Sequence, residues 1–315
     1  MAARRARPWR RHLVDSLCGC SVVTFLALAE SGLVPGTKAG FFCDDPAISF
    51  RFRGDTVSLT TLLATTALAP LLVVWLVEAW GRRPHDFAAT ESSKTRSEVG
   101  ARLTAFWYRE YLLGLGLVLL VTDFAKLLVG EPRPHFLHTC RPNCTAGYIV
   151  DFNCTNTDFS HWFIQDSTKS FPSGHASISI YTAFFLVWFL QRRLVKSSWL
   201  LVPWLQSLCI LWALVCSLTR ITDHRHHWWD VLAGAVVGIA LGVFTVMVFC
   251  RSFTELPVIL PNDLLGKDEI VTHENGHMTR AFRSTRHQSV RRLLSSTSSC
   301  TGEVTPDEQE MKEPS

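Results

Sequence analysis

Six apolar stretches, each near the length of a bilayer crossing, constrain this chain more than any other feature: Leu13–Val34, Ser58–Trp80, Tyr111–Val129, His175–Leu190, Trp199–Leu218 and Val231–Cys250. A hydrocarbon core of about 30 Å takes about 20 helical residues to cross. With 48% hydrophobic residues gathered in such blocks, the 315 residues read as an all-α polytopic membrane protein and not as one or two soluble domains. The first block follows Arg4, Arg5, Arg7, Arg10 and Arg11, which is also how a signal peptide begins. It continues for the length of a span, though, and shows no small-residue cleavage site, so it is taken as the first of six transmembrane helices despite Asp15 and Glu30 inside it.

Orientation follows from where arginine and lysine fall near span ends, not from the modest net charge of +4. Six spans put both termini on one side. The loops on that side hold 14 Arg and Lys residues against 8 on the other, which predicts cytoplasmic N- and C-termini. The chain then divides into a basic N-terminus (1–12), a six-helix membrane domain (13–250) and a disordered cytoplasmic tail (251–315). The tail is rich in Ser, Thr and charge, with Ser284, Ser289 and Ser295 beside arginines as phosphorylation or lipid-contact candidates.

One polar run, Thr219 to Asp230, is wedged between the fifth and sixth stretches and is dense in Arg and His. His226 and Asp230 are four residues apart, so on a helix start they share a face. The carboxylate can then accept a proton from one imidazole nitrogen and leave the other free to attack. Arg220 supplies positive charge for an anionic group. Lys126, Arg133 and Pro134 stand at the end of the third stretch, and Pro172, Ser173, Gly174 and His175 open the fourth. Under the six-span reading all of these reach the non-cytoplasmic face, whereas parity alone could have scattered them.

These three groups match in order and spacing the signatures of the type-2 phosphatidic acid phosphatase superfamily, and the chain resembles its lipid phosphate phosphatase family in particular. The match covers about residues 13 to 250, and Gly40-Phe41-Phe42-Cys43 and Arg133-Pro134-His135-Phe136-Leu137 support it. Thr219 departs from the pattern, which has serine there. The resemblance implies that His226 attacks phosphorus to form a phosphohistidine, that Asp230 orients its ring and that His175 protonates the leaving alkoxide. Lys126, Arg133 and Arg220 would hold phosphate oxygens, helped by the backbone of Ser173 and Gly174 at a helix N-terminus. No metal or cofactor is required. The implied substrates are phosphatidate, lysophosphatidate, ceramide 1-phosphate and sphingosine 1-phosphate, hydrolysed at the extracellular or lumenal face of the plasma membrane, or of the endoplasmic reticulum or Golgi. The expected partners are the bilayer and its lipid phosphates, with no nucleic acid; homo-oligomerisation is left open.

Each residue also has a plainer explanation. Cations at span ends anchor helices at headgroups, Pro-Ser-Gly is an ordinary turn, and tryptophans such as Trp228 and Trp229 are interface anchors. The several histidines of Asp223–Asp230 lack a second ligand cluster of metal-site spacing, so no metal site is read there. Asp123 is placed to pair with Lys126, while Glu131, close to the anion site, has no role in this reading. Asn143 and Asn153 begin glycosylation sequons, each with a cysteine in the middle. Cys43, Cys140, Cys144 and Cys154 lie in outward loops and fit one or two disulfides, with all three connectivities open. Two rival functions remain: a phosphatase for a soluble sugar phosphate or isoprenoid diphosphate in the endoplasmic reticulum, and a non-catalytic lipid-binding adaptor.

Overall fold

The structure is a computed structural model that describes residues 8–80, 93–144, 146–194 and 199–254. It is mostly helical. The long elements are α1 (Pro8–Glu30), α2 (Leu59–Trp80), α3 (Ser93–Val129), α6 (Gly174–Arg193), α7 (Leu201–Thr222) and α8 (Trp228–Phe244), with two short helices, α4 (Phe136–Cys140) and α5 (His161–Asp166), between α3 and α6. Thr245–Phe249 continues α8 as a wider π-type turn. Tail residues 255–315, including Ser284, Ser289 and Ser295, lie outside the described residues, as do 1–7 of the basic N-terminus.

Among the described residues, four helical stretches are long and apolar enough to cross a membrane: Leu59–Ala79, Ser97–Val129, Leu201–Thr222 and Trp228–Phe249. The other two expected crossings differ for separate physical reasons. Among the described residues, the apolar part of α1 is the short stretch Gly19–Ala29. Helix α6 has 20 residues, but His175, Ser177, Ser179, Tyr181 and Thr182 make it less apolar. Those residues are tolerable because α6 is the central helix, packed against α2, α3, α7 and α8, so its polar groups meet protein instead of lipid. Ser177, Ser179 and Tyr181 are fully buried, while Leu68, Leu72, Leu211, Leu214, Val236 and Ile239 on the surrounding helices are exposed. An apolar exterior around a partly polar interior is what a hydrocarbon solvent selects.

Glycine on α8 fixes its distance from α6. A Cβ at Gly234 would stand 2.5 Å from the Ser173 carbonyl oxygen, and one at Gly238 would stand 2.6 Å from that of Ser177. The small-residue seam lets the two backbones touch along their length. As a result the first turns of α6 and α8 are side by side, and the Ser173 N–H donates to the Asp230 carbonyl at 3.0 Å.

The segment between α3 and α6 is folded, not an open loop. Phe41–Phe42 pairs antiparallel with Tyr148–Ile149, and Phe41, Phe136 and Phe152 form an edge-to-face cluster beneath that pair. Disulfides Cys43–Cys144 and Cys140–Cys154 tie it down, which selects one of the three connectivities. This cap carries Arg133, Asp166 and Ser170 over the ends of the long helices. Asn143 and Asn153 are exposed on it.

Candidate active site

The site is assembled from the end of α3, the start of α6, the end of α7 and the start of α8, with the cap above. At the start of α6, Ser173 is the N-cap, its hydroxyl accepting the Ala176 N–H at 3.5 Å. Gly174 follows, and the Lys126 ammonium from α3 lies 3.6 Å from where a Gly174 Cβ would be. Lys126 also sits 3.7 Å from Asp123, the pairing expected one helical turn apart. His175 comes next. Its Nε2 is buried and has no hydrogen-bond partner among the described residues. The fixed charges that act on this imidazole come from Arg220, Arg133 and Lys126, so residues distant in sequence converge on one point.

Arg133 is 4% exposed and is held by Asp166 from the cap. Its Nη2 donates to Asp166 Oδ1 at 2.7 Å and its Nε to the Asp166 carbonyl at 2.9 Å. The remaining Nη1 meets His226 Nε2 at 3.4 Å. A guanidinium can only donate, so Nε2 is the lone-pair nitrogen and the proton is on Nδ1. Burial, reinforced by Arg133, lowers the His226 pKa to about 3. The ring is therefore neutral near pH 7, the form a nitrogen nucleophile needs.

Asp230 is fully buried and serves several donors at once. Its Oδ2 accepts the Ser170 hydroxyl at 2.5 Å and the His227 backbone N–H at 2.9 Å. His226 Nδ1 is 3.6 Å from the same oxygen and 3.4 Å from Ser170 Oγ. The pairing expected from the four-residue spacing is thus a shared one, with Ser170 bridging ring and carboxylate. The capping-box bond to His227 explains why: Asp230 is the N3 residue of α8, which opens at Trp228 instead of Val231.

Arg220 is 1% exposed. Nη1 donates to Asp55 and Nη2 to Asp223, each at 3.0 Å, while its buried Nε has no partner among the described residues. The neighbouring Arg225 bridges Asp55 at 3.1 Å and Asp166 at 3.4 Å, and its guanidinium lies between the Phe52 and Phe163 rings at 5.3 and 4.9 Å. Arg225 Nη1 also meets His135 Nε2 at 3.1 Å. Burial and the adjacent Arg133 and Arg225 lower the His135 pKa to about 2. At Asp166 burial acts upward, yet Arg133, Lys126 and Arg225 outweigh it and hold the pKa at about 2.

All eight residues predicted to bind or react with phosphate, Lys126, Arg133, Ser173, Gly174, His175, Arg220, His226 and Asp230, belong to this one constellation. Sequence reasoning missed Asp55, Asp166, Ser170, Asp223 and Arg225. A partial signal did exist for the acids: buried arginines require carboxylates, but the loops carry several, and spacing does not single out Asp55, Asp166 and Asp223 among them. Nothing in spacing marks Ser170. Glu131, which had no role, accepts the Trp229 Nε1–H at 2.9 Å and sits 3.6 Å from His227 Nδ1. His224 lies outside the network, stacked on Phe50 at 4.2 Å.

Residues 107–253 match the PAP2 superfamily. Phospholipid phosphatase 2 of Bos taurus is 31% identical over 265 residues, which is 80% of this chain and 86% of that protein. Phospholipid phosphatase 2 of Homo sapiens is 30% identical over 84% of this chain and 90% of its own length. For phospholipid phosphatase 1 of Mus musculus the figures are 30%, 87% and 96%. A longer Drosophila melanogaster relative, 31% identical, is spanned over 63% of its length. No solved structure matches the chain.

Proposed function

The chain belongs to the phospholipid phosphatase family of the PAP2 superfamily and is a phosphatase, and from that premise we propose that it hydrolyses lipid phosphate monoesters at the non-cytoplasmic face of a membrane through a phosphohistidine on His226. The reading includes six crossings with both termini cytoplasmic, α1 and α6 being the two that composition alone does not mark. Its substrates are phosphatidate, lysophosphatidate, ceramide 1-phosphate and sphingosine 1-phosphate. Their hydrocarbon chains stay in the bilayer while the headgroup reaches the helix ends.

The carrying observation is that His226 Nε2, the lone-pair nitrogen of a neutral ring, faces Arg133 Nη1 at 3.4 Å, an arm whose other contact among the described residues is the Arg225 carbonyl, also at 3.4 Å. A phosphate oxygen would take that arm, as a charge-assisted bond is the stronger one, and uncover the lone pair. Lys126, Arg220 Nε and the N–H groups at the start of α6 neutralise the other oxygens. The Nε2–P bond forms as the ester P–O bond breaks, and His175 gives a proton to the departing alkoxide. Asp230, with Ser170, stabilises the positive charge that develops on His226. Water then attacks phosphorus, His175 takes its proton, and phosphate leaves with Nε2 restored. Glycans on Asn143 and Asn153 belong to the same outward placement.

The test is phosphate release by the purified chain from a panel of lipid phosphates and from glucose 6-phosphate, with and without chelator. Release from the lipids that persists with chelator and is absent in His226→Ala supports the reading. Preference for glucose 6-phosphate moves the chain to the soluble-substrate reading, and phosphatidate binding without release to the adaptor reading.

A further inference from the structure

Next to the anion site, where Ala29 of α1 meets the end of α3 and the cap, lies a cleft that the phosphate chemistry leaves unused. It borders that site through Lys126 and Asp166, and Asp123, Gln165 and Lys169 also line it. Its volume is about 20 Å³, room for one group of about a water's size and not for a hydrocarbon chain. Lys169 is held in place from both sides. Its own N–H donates to the Asp166 carbonyl at 3.0 Å, while the next residue, Ser170, donates its N–H to the Glu131 carbonyl at 2.8 Å and its hydroxyl to Asp230 at 2.5 Å.

The charges in this cleft do not match one for one. Asp166 is taken by Arg133 and Arg225, and Asp123 sits 3.7 Å from Lys126, whereas the half-buried Lys169 has no side-chain partner among the described residues. We infer that the cleft is a subsite for the substituent on the carbon next to the phosphate ester, and that Lys169 makes the chain select lipids with an oxygen acceptor there over sphingosine 1-phosphate, which has an ammonium.

The inference rests on the proposed hydrolysis of lipid phosphates and ranks its substrates. Lys126 lines both places, so a phosphoryl group held there leaves the second carbon beyond the ester oxygen beside the cleft. On that carbon phosphatidate has an ester, lysophosphatidate a hydroxyl and ceramide 1-phosphate an amide, each with an oxygen that accepts from an ammonium. Sphingosine 1-phosphate has a protonated amine, which only donates and shares the sign of Lys169. Gln165 both donates and accepts, so the discrimination falls to Lys169. Rejection needs no difference in shape, because a like charge in a partly desolvated cleft costs more than a missing hydrogen bond.

The test compares kcat/KM of the purified full chain, in one detergent, for lysophosphatidate, sphingosine 1-phosphate and the N-acetyl derivative of the latter, which lacks the charge on nitrogen. The original chain is expected to disfavour sphingosine 1-phosphate against the other two by about tenfold to a hundredfold, and Lys169→Met to shrink that ratio by about tenfold, chiefly through a gain on sphingosine 1-phosphate. Lys169→Glu should erase or invert it. A ratio taken within one protein does not depend on how much of that protein folds. Equal use of these lipids by the original chain, or a ratio that Lys169→Met leaves unchanged, overturns the inference. If the original chain released no phosphate from any lipid, the hydrolytic reading would fail, and displacement of a fluorescent phosphatidate by the same lipids, from His226→Ala with and without Lys169→Met, would still decide the role of Lys169 on the same ratio.

Discussion

The two ends of α6 both pair arginine with carboxylate, and they do so in opposite ways. At the far end Arg193 makes a closed, two-pronged pair with Glu78 of α2, at 2.8 and 2.9 Å, with the guanidinium 5.7 Å from the Trp107 ring centre. At the near end no such one-to-one match exists. Asp55 is shared by Arg220 and Arg225, and Asp166 by Arg133 and Arg225. Arg220 Nε and His175 Nε2 are left buried without partners among the described residues. The two-pronged pair engages both carboxylate oxygens and joins α2 to α6. A shared network that leaves donors over is what an incoming anion needs, because those donors are already desolvated and need not reorganise.

That contrast breaks most sharply at His226. His226→Ala is expected to lower phosphate release by about 10⁴-fold or more while leaving the melting temperature near that of the original chain, since a nucleophile contributes far more to rate than to packing. Next comes His175→Ala, expected to cost about 10²- to 10⁴-fold in kcat, with the smaller losses for substrates whose leaving group is a better one. Asp166→Asn removes the charge that anchors Arg133 and Arg225 and should cost about 10²- to 10³-fold in kcat/KM. At the other end Glu78→Gln strands Arg193 and should cost about 3–5 kcal/mol of stability, with kcat/KM of the folded fraction unchanged. Should Glu78→Gln alter kcat/KM as much as Asp166→Asn does, the division between a structural and a functional end fails.

The smallest effect concerns pH. His135 and His226 have folded pKa values of about 2 and about 3, below the ordinary 6.5 that they regain on unfolding. The unfolded chain thus binds protons that the folded chain refuses. The stability due to these neutral rings is complete above about pH 6.5 and is lost progressively as pH falls toward 3. Asp166, with its folded pKa near 2, acts in a lower window, losing its contribution as pH falls through that value from the carboxylate range. Melting in detergent should therefore weaken between pH 7 and 4, and His135→Gln should flatten that slope.

Much of this was legible in the sequence because span length and motif spacing are local properties. The spacing of His226 and Asp230, and the order of Lys126, Arg133, Ser173, His175 and Arg220, led to one constellation. What was not legible depended on contacts between distant segments. Ser170 and Asp166 matter only because the cap folds back over α8, and Asp55 only because it lies opposite two arginines of α7 and the turn after it. The polarity of α6 reads as a weak span until its central position is known. Helix α8 starts at Trp228 because Asp230 caps it, a tertiary and local role combined in one residue. Glu131 made sense only once Trp229 and His227 stood beside it.

The most direct measurement is to mix the purified chain with phosphatidate labelled in its phosphate, quench within the first turnover, and map the label. The account predicts a phosphoryl group that is lost in acid, carried on the peptide containing His226 and absent from His226→Ala. Label on another residue, or full turnover by His226→Ala, would contradict it.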